Sequence, residues 1–406
     1  MIKLYKHQQE FLDKNPQRCL LCWDTGTGKT LTAIYWGDLN SLKTLVIVPK
    51  ALKENWKREI KKHGRNIFIV ISKEEFRRDW DKLPYFPAII ADEAHYFSGM
   101  KSQMSKNLRK YCKKWKVVFR LMLSATPYLS TPWNIYTLAG HLGYEWSYMD
   151  FRARFFVDKY IGNRVIAAPR PGIEDDIAKL VAGIGNIVKL DECADVPSQV
   201  FAEEKFIVGK PQKKAMEEII DLNPVVKYTK HHQVENGTLK SDGYVPDKFW
   251  NIDKHDRIYE KCGNDDKIAV VCRYNLQIDA LEKKLSKLKK KIFIIRGDVK
   301  NRDEIVQAVE KSKECIVLIN AACSEGYELP SIGSVIFASL SFSYKDYKQM
   351  LGRFLRINKL KKNVYTHMIT EDGIDQAVYD SIMKKQDFDI SIYAEGNERS
   401  EISDTI

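Results

Sequence analysis

A glycine-rich stretch near the N-terminus has the residue types of a phosphate-binding loop. It reads Asp24-Thr25-Gly26-Thr27-Gly28-Lys29-Thr30. The two glycines let the backbone wrap so that its N–H groups point at phosphate oxygens. Lys29 offers a charge to the β- and γ-phosphates of ATP, and the Thr30 hydroxyl offers a ligand to Mg²⁺. The common pattern has Gly where Trp23 stands, but the stretch follows an apolar run and opens a helical pattern, as such a loop requires. We therefore predict an ATP site at residues 25–30.

An acidic pair supplies the second half of this chemistry. Asp92-Glu93-Ala94-His95 follows the apolar run Ala88–Ala91. Parallel strands present such residues to a ligand crevice at their carboxyl ends. We expect Asp92 to hold Mg²⁺, directly or through water, and Glu93 to orient and deprotonate the attacking water. His95 is expected to hydrogen-bond between this site and the Ser124-Ala125-Thr126 stretch. The alternative interpretation is a solvated acidic turn.

Gln8 is a candidate for reading adenine. Its side chain presents a donor and an acceptor side by side, which suits the edge of the base. Surface glutamines are common, so the prediction depends on its spacing to the glycine loop.

Two arginines near the C-terminus are candidates for contact with the triphosphate of ATP. Arg353 and Arg356 are three residues apart on a predicted helix, so they project from one face. An arginine at the γ-phosphate contributes about 10³–10⁵ in rate. A surface patch or salt-bridge partners would be the alternative. ATP held between two lobes, each donating half of the chemistry, would make hydrolysis a mechanical event.

The length and charge of the chain are consistent with a two-lobed protein that binds ATP. The 406 residues favour two domains of roughly 150–200 residues each. The net charge of +12 favours a polyanionic partner, DNA or RNA, although solvated lysine-rich helix faces remain the alternative for any one run.

The apolar runs are too short for a membrane span and the N-terminus lacks a secretion signal. We expect no membrane partner and a cytoplasmic location in a bacterium or a phage-infected host. Cys19 and Cys22 form a C-x-x-C that is typical of a buried strand rather than of a metal site.

Alternating strand and helix patterns in both halves predict an α/β fold with two parallel-sheet lobes. We predict an N-terminal lobe over 1–200, which includes a helical protrusion from about 128, and a helical protrusion or linker over 201–262. A C-terminal lobe over 263–386 and a polar tail over 387–406, expected to fray, complete the chain. The strand-like runs behind this prediction are Cys19–Trp23, Thr44–Val48, Ala88–Ala91, Val117–Ser124, Ile268–Cys272, Ile292–Ile295, Cys315–Ile319, Val335–Ala338 and Val364–Ile369.

The order of these motifs resembles that of superfamily 2 helicases and translocases over most of the chain. The matching stretches are Tyr5–Gln8 (adenine motif), Asp24–Thr30 (motif I), Leu45–Lys50 (Ia), Asp92–His95 (II), Ser124–Pro127 (III), Cys323–Leu329 (V) and Gln349–Arg356 (VI). This resemblance implies two RecA-like lobes with a largely helical insertion between motif III and the second lobe. It also implies nucleotide contact by Glu328 and coupling roles for His95, Ser124, Thr126 and Gln349.

Within that superfamily the chain is most similar to the Swi/Snf-like branch of double-stranded DNA translocases. The similarity lies in Pro49-Lys50-Ala51-Leu52 with Asn55-Trp56 and Glu59, in Thr126-Pro127 followed by Tyr136 and Phe151-Arg152, and in Lys230–Gly237. The compact size resembles fork-remodelling members from phages and bacteria, of the UvsW-like and annealing-helicase kinds. The resemblance implies an ATP-dependent enzyme that acts on duplex, forked or junction DNA, and we expect it to act as a monomer.

The expected nucleic-acid contacts are mainly to phosphates, which position a duplex without reading its sequence. The candidates are Lys50, Ser98 in the loop after motif II, Arg273 and Ser324. His231 and His232 could lie near DNA, but two exposed histidines on a polar helix are the simpler expectation. Two alternatives remain open. An RNA helicase is favoured by the Asp-Glu-Ala-His and Ser-Ala-Thr sequences, and an ATPase that displaces proteins from DNA would share the same motifs.

Overall fold

Each half of the chain builds its own parallel sheet. The computed structural model describes residues 4–40, 42–65, 67–125, 131–161, 164–193, 199–241, 246–299, 301–324, 326–355 and 362–394. The chain divides into two units, Met1–Asp195 and Val196–Ile406. Across these described ranges, no helix combines the length and apolar character that crossing a bilayer would demand.

The sheet of unit 1 has six parallel strands in the order β3-β2-β4-β5-β1-β8. Because all the strands run the same way, the loops that follow β1, β4 and β5 meet at one edge. The strands of this unit are β1 (Arg18–Trp23), β2 (Thr44–Val48), β3 (Phe68–Ser72), β4 (Ala88–Ala91), β5 (Phe119–Ser124), β6 (Phe156–Ile161), β7 (Arg164–Pro169) and β8 (Gly185–Val188).

Helices cover both faces of this sheet. Strands β2 and β4 are buried along their whole length, as expected for a parallel sheet with two covered faces. Two apolar clusters result, one on each face, with Leu20 and Leu21 of β1 pointing into different clusters. The helices of unit 1 are α1 (Lys6–Lys14), α2 (Lys29–Leu39), α3 (Lys53–His63), α4 (Lys73–Asp79), α5 (Gln103–Lys114), α6 (Trp133–Leu142), α7 (Tyr148–Phe155), α8 (Glu174–Ile184) and α9 (Leu190–Cys193).

Unit 2 repeats the architecture with another six-stranded parallel sheet, in the order β13-β14-β12-β15-β16-β9. Strand β14 is buried at every position. The strands are β9 (Gln199–Phe206), β10 (Thr238–Leu239), β11 (Lys248–Phe249), β12 (Lys267–Cys272), β13 (Ile292–Ile295), β14 (Cys315–Asn320), β15 (Ser334–Phe337) and β16 (Asn363–Thr370). The helices are α10 (Lys210–Glu217), α11 (Pro224–Glu235), α12 (Asp253–Asn264), α13 (Asn275–Leu285), α14 (Arg302–Lys311), α15 (Tyr344–Phe354) and α16 (Ile374–Met383).

The predicted α/β fold with two RecA-like parallel-sheet lobes is confirmed. The segment between the lobes differs in detail from the largely helical insertion that the sequence suggested. It contains helices, but also the antiparallel hairpin β6–β7 and two edge strands, with β8 joining the first sheet and β9 joining the second. Strand β9 alternates between exposed and partly buried residues, so it lacks the continuous apolar run by which a central strand is recognised.

Two further expectations are wrong. His232 is fully buried, because its ring contacts Tyr274 and Asp375 inside unit 2. Residues 387–394 of the polar tail do not fray: Phe388 and Ala394 are buried in the core of unit 2, and the Phe388 N–H donates to the Phe342 carbonyl at 2.7 Å. The remainder of the predicted tail, 395–406, lies outside the described residues.

Candidate nucleotide-binding site

The glycine loop wraps at the carboxyl end of β1. Gly26 and Gly28 have φ angles of 86° and 85°, which side chains other than glycine rarely adopt. The Thr27 hydroxyl donates to the Asp24 carbonyl at 2.7 Å and closes the turn. Gly28 is the N-cap residue of α2, so the loop leads directly into a helix N-terminus. This is the arrangement that favours an anion, because unpaired backbone N–H groups and the helix dipole both point at it.

Lys29 lies at the start of α2, with its ammonium group in the loop. Its Nζ donates to the carbonyls of Trp23 at 2.7 Å and Asp24 at 3.0 Å. Its positive charge also acts on Asp92, where it opposes the rise in the carboxyl pKa that burial causes. The loop lysine and the acidic motif therefore belong to one electrostatic site within unit 1.

Asp92 follows β4 and is held through both carboxylate oxygens. Its Oδ2 accepts the indole N–H of Trp56 at 2.8 Å, and its Oδ1 accepts the Glu93 backbone N–H at 2.9 Å. Burial raises the pKa of Asp92 to about 6, and the neighbouring Glu93 charge acts in the same direction against the opposing effects of Trp56 and Lys29. A divalent cation stabilises the charged form of a carboxyl group whose pKa is raised in this way.

Glu93 and His95 form a contact beside that carboxylate. Glu93 has a left-handed backbone with φ of 50° and ψ of 57°, a conformation that is uncommon for a residue with a side chain. Its Oε2 lies 3.2 Å from Nδ1 of His95, and both side chains are largely buried. Such strain clusters at functional sites, where the surrounding structure maintains it. This geometry indicates that His95, in the 3₁₀ turn after Glu93, orients the Glu93 carboxylate.

Ser124 ends β5, the strand that lies between β1 and β4 in the sheet. It pairs in register with Cys22, two residues before the loop, and its side chain is 1% exposed. Its position therefore lies between the two halves of the site. Thr126, the other predicted coupling residue of this motif, lies outside the described residues.

Gln8 packs directly against the loop. Its Nε2 lies 3.4 Å from the Gly28 carbonyl, and its Oε1 accepts the Tyr5 N–H at 2.9 Å. A Cβ added at Gly28 would lie only 2.2 Å from that Nε2, so the Gln8 amide would have to move. His7, for which sequence reasoning proposed no role, lies with Nε2 2.9 Å from the Thr27 carbonyl. Adenine recognition by Gln8 stays a prediction.

The segment after β8 also reaches the loop, which no sequence signal indicated. The backbone N–H of Leu190 donates to Oδ2 of Asp24 at 3.2 Å, and the Trp23 indole donates to Asn186 at 2.6 Å. These pairs join residues more than 160 positions apart in the sequence. The tertiary fold alone brings them together.

In unit 2, helix α15 carries Arg353, ends at Phe354 and packs against motif V. The predicted helix does not extend as far as Arg356, because Leu355 is already extended. Arg353 is 7% exposed, and its guanidinium donates from Nε to the Ser324 carbonyl and from Nη1 to the Tyr327 carbonyl at 3.1 Å. The Ser324 hydroxyl donates to Gln349 Oε1 at 3.0 Å, and Glu328 lies in the same stretch, partly buried. Motifs V and VI thus form one hydrogen-bonded group, in which Arg353 holds backbone carbonyls. Arg356 and Glu325 lie outside the described residues.

The four candidates for nucleic-acid contact differ in exposure. Lys50 is exposed at the start of a 3₁₀ turn. Ser98 is 3% exposed, and its hydroxyl joins the His95 carbonyl to the Asn134 amide. Ser324 is also buried, as described above. Arg273 is partly buried, with its guanidinium 3.4 Å from the centre of the Phe342 ring. Among the four, Lys50 offers the most accessible charge.

The donor set fits Mg²⁺ better than a metal that needs a protein cage. Within the described ranges, no group of three or more His, Cys, Asp or Glu side chains is close enough to hold a metal ion. Mg²⁺ commonly uses one or two protein oxygens, several waters and substrate phosphates. Asp92 and the Thr30 hydroxyl stay the predicted sources of those oxygens, and the metal would stabilise charge at the phosphates.

Family models match both ends of the chain. Residues 4–84 match the SNF2-related domain, and residues 251–358 match the helicase conserved C-terminal domain. The first range contains the glycine loop, and the second contains motifs V and VI. These two matches support similarity to the Swi/Snf-like branch of helicase superfamily 2.

Two curated proteins are also similar to this chain. An uncharacterised ATP-dependent helicase of Mycoplasma genitalium is 23% identical over 95% of this chain. Nucleoside triphosphatase I of Melanoplus sanguinipes entomopoxvirus is 38% identical over 19% of it. The chain spans 42% of the first relative's length and 13% of the second's.

Solved structures extend the comparison to nearly the whole chain. The Hef helicase domain of Pyrococcus furiosus matches with a TM-score of 0.54 at 15% identity, covering 92% of this chain and 97% of that one. The SWI2/SNF2 ATPase core of Sulfolobus solfataricus, solved with double-stranded DNA, matches with a TM-score of 0.43 at 16% identity, covering 94% and 91%. The first of these supports the two-lobed fold.

Proposed function

We propose that this chain is an ATP-driven DNA translocase or helicase that remodels duplex, forked or junction DNA. The observation that carries the proposal is the convergence of Lys29, Asp92 and Glu93 at one edge of the first sheet. Phosphoryl transfer needs such positioned charges more than it needs covalent catalysis. Similarity to the Swi/Snf-like branch and the net charge of +12 support DNA as the partner.

Each residue of the site has a distinct proposed role. Backbone N–H groups of residues 25–30 hold the phosphates of ATP, and Lys29 exchanges its carbonyl partners for phosphate oxygens. Asp92 and Thr30 ligate Mg²⁺, and Glu93 accepts a proton from the attacking water. His95 holds Glu93, so that a change at the turn after motif II alters the direction of the base.

The second unit contributes the remaining part of the proposal. Family resemblance assigns Arg353 and Arg356 to the γ-phosphate, where positive charge stabilises the transition state. The buried contacts of Arg353 with motif V support a division of labour, in which Arg353 holds the segment and Arg356 meets the phosphate. Gln349 then links the same segment to Ser324.

The decisive experiment measures ATP hydrolysis with duplex DNA, forked DNA, single-stranded DNA and RNA supplied separately. We expect the largest stimulation from duplex or forked DNA, and stimulation should fall with salt because the contacts are to phosphates. No stimulation by any DNA would overturn the proposal. Stimulation by RNA that exceeds the DNA response would select an RNA helicase instead. Displacement of a DNA-bound protein without strand separation would select a remodelling ATPase.

Two substitutions test the site itself. Lys29→Ala should abolish turnover and weaken ATP binding, whereas Glu93→Gln should abolish turnover and retain binding. Lys14→Ala, at the last residue of α1, is a matched control because it removes an exposed lysine of the same unit. Retained turnover in both site variants would refute the assigned chemistry.

The accessible lysine of motif Ia tests the DNA contact. Lys50→Ala should reduce DNA affinity and lower the slope of log affinity against log salt by about 0.9. Basal ATP hydrolysis should change little, since the Lys50 side chain is exposed to solvent. An unchanged salt slope would remove Lys50 from the proposed interface.

A further inference from the structure

Trp56 makes a contact that the motif assignments leave unexplained. It is the fully buried side chain of α3, with 0% exposure. Its indole N–H donates to Oδ2 of Asp92 at 2.8 Å, across 36 positions of sequence. The bond is wholly buried, where a hydrogen bond to a charged group is stronger than in water and its loss is costly.

The bond determines which way the Asp92 carboxylate faces. One oxygen accepts from Trp56 and the other accepts from the Glu93 backbone. A carboxylate has about four acceptor positions, so two donors in fixed places leave the remaining lone pairs in fixed directions. Groups that hydrogen-bond to metal-ligating carboxylates orient them in the same manner.

Trp56 also belongs to the segment that carries Lys50. From Pro49 the backbone forms a 3₁₀ turn, Lys50–Leu52, which continues directly into α3. The Lys53 ammonium pairs with Glu75 at 2.7 Å, so the first turn of α3 is also fastened to α4. Exposed Lys50 and buried Trp56 therefore lie six residues apart on one hydrogen-bonded stretch.

We propose that Trp56 is a positioning residue that holds the metal-side carboxylate Asp92 and links it mechanically to the nucleic-acid-facing segment at Lys50. This inference rests on the proposed function, because it needs a magnesium nucleotide at Asp92 and DNA at Lys50. A displacement of the segment by DNA would be transmitted through a single side chain to the oxygen that binds the metal. The link lies entirely within unit 1.

The test compares two tryptophans of the same apolar cluster. Trp36 is also 0% exposed, lies in the same cluster as Trp56 and donates its indole N–H to the Pro16 carbonyl at 2.9 Å. Trp56→Phe and Trp36→Phe thus remove the same atoms, the same volume and one hydrogen bond each, which is buried at Trp56 and partly buried at Trp36. Only the first breaks a contact with Asp92.

The main readout is the affinity for a fluorescent ADP analogue in Mg²⁺ and in EDTA. We expect Trp56→Phe to bind the ADP analogue in EDTA as tightly as the wild type does. The gain in affinity on adding Mg²⁺ should be about tenfold or more smaller in Trp56→Phe than in the wild type. It should also lower the stimulation of ATP hydrolysis by duplex DNA more than it lowers basal hydrolysis. Trp36→Phe should keep both the Mg²⁺ enhancement and the DNA stimulation, even if its unfolding temperature falls by a similar amount.

Each outcome decides one question. An unchanged Mg²⁺ enhancement in Trp56→Phe, or an equal loss in Trp36→Phe, would overturn the inference while leaving the proposed function intact. Wild-type chain that binds ADP no better than Lys29→Ala would instead overturn the proposed function. If Trp56→Phe does not fold, Trp56→Met replaces it, because the flexible methionine side chain fills irregular space and lacks an N–H donor.

Discussion

Lys254 and Asp375 form an ion pair in the interior of unit 2, with Nζ 2.7 Å from Oδ2. The two side chains are 1% and 4% exposed. The remaining polar atoms are also engaged: Lys254 donates to Asn236 at 3.0 Å, and Asp375 accepts the Thr370 N–H at 2.8 Å. Although burial acts against it, the positive Lys254 and its neighbour His232 hold the pKa of Asp375 below its ordinary value. The pair joins α12 to the start of α16.

Removing one partner of this pair should destabilise unit 2 strongly. Lys254→Met would leave a buried carboxylate without its ammonium partner, and we expect a cost of about 3–5 kcal/mol. Lys205→Met is the matched control, since the Lys205–Glu371 pair of the same unit is 52% and 37% exposed. This substitution should change the stability of unit 2 little, because solvent screens an exposed pair. Hydrogen exchange at the amides of β16 measures both, and equal protection in the two variants would contradict the prediction.

Acid should destabilise unit 1 through His141. Burial lowers the pKa of His141 to about 4 from its ordinary 6.5, against the opposing contact with the Phe97 carbonyl. A lowered histidine pKa means that the unfolded chain binds the proton more tightly. The contribution to stability is therefore complete above pH 6.5 and is lost as the pH falls toward 4, by about 3 kcal/mol. Unfolding temperatures at pH 7.5 and 5 measure the slope, which should become shallower in His141→Gln; an identical slope would exclude His141 as its source.

The arginines of motif VI should separate into a structural and a catalytic residue. Arg353→Met would leave the buried Ser324 and Tyr327 carbonyls without their charged donor, at a cost of about 1.5–3 kcal/mol per bond. Arg356→Met should lower kcat about 10³-fold or more. Thermal unfolding and steady-state hydrolysis measure the two effects. A stable Arg353→Met chain would show that the motif V contacts contribute little.

A side chain at Gly28 should displace Gln8 and strain the backbone. Gly28→Ala places a Cβ 2.2 Å from Nε2 of Gln8, which must then move, and keeps a φ of +85° that side chains rarely adopt. Gly172→Ala is the control, because its φ is +73° and no atom lies within 4 Å of the added Cβ. The control should cost about 1–2 kcal/mol from strain alone. Gly28→Ala should cost more and weaken ATP binding, as titration with a fluorescent nucleotide will show; equal stability in the two variants would argue against the close contact with Gln8.

Much of the fold was predictable because the central strands are buried on both faces. Thr44–Val48 and Ala88–Ala91 were predicted with the bounds that the structure has. Continuous apolar runs that end at a turn or a polar residue produce this signal. Edge strands such as β9 have one exposed side and a mixed composition, and the sequence pattern alone did not identify them.

The glycine loop, the acidic pair and the spacing of the arginines are local features, so the sequence by itself predicted the nucleotide chemistry and indicated the family. The tertiary structure alone decided which groups hydrogen-bond to those residues. Trp56 donates to Asp92, Leu190 donates to Asp24, and Arg353 donates to a carbonyl of motif V. It also placed Ser98, Ser324 and His232 in buried networks, where exposed roles had been expected for them. The physical reason is that a backbone motif is encoded by neighbouring residues. A side-chain partner is selected by packing between elements that are far apart in the sequence.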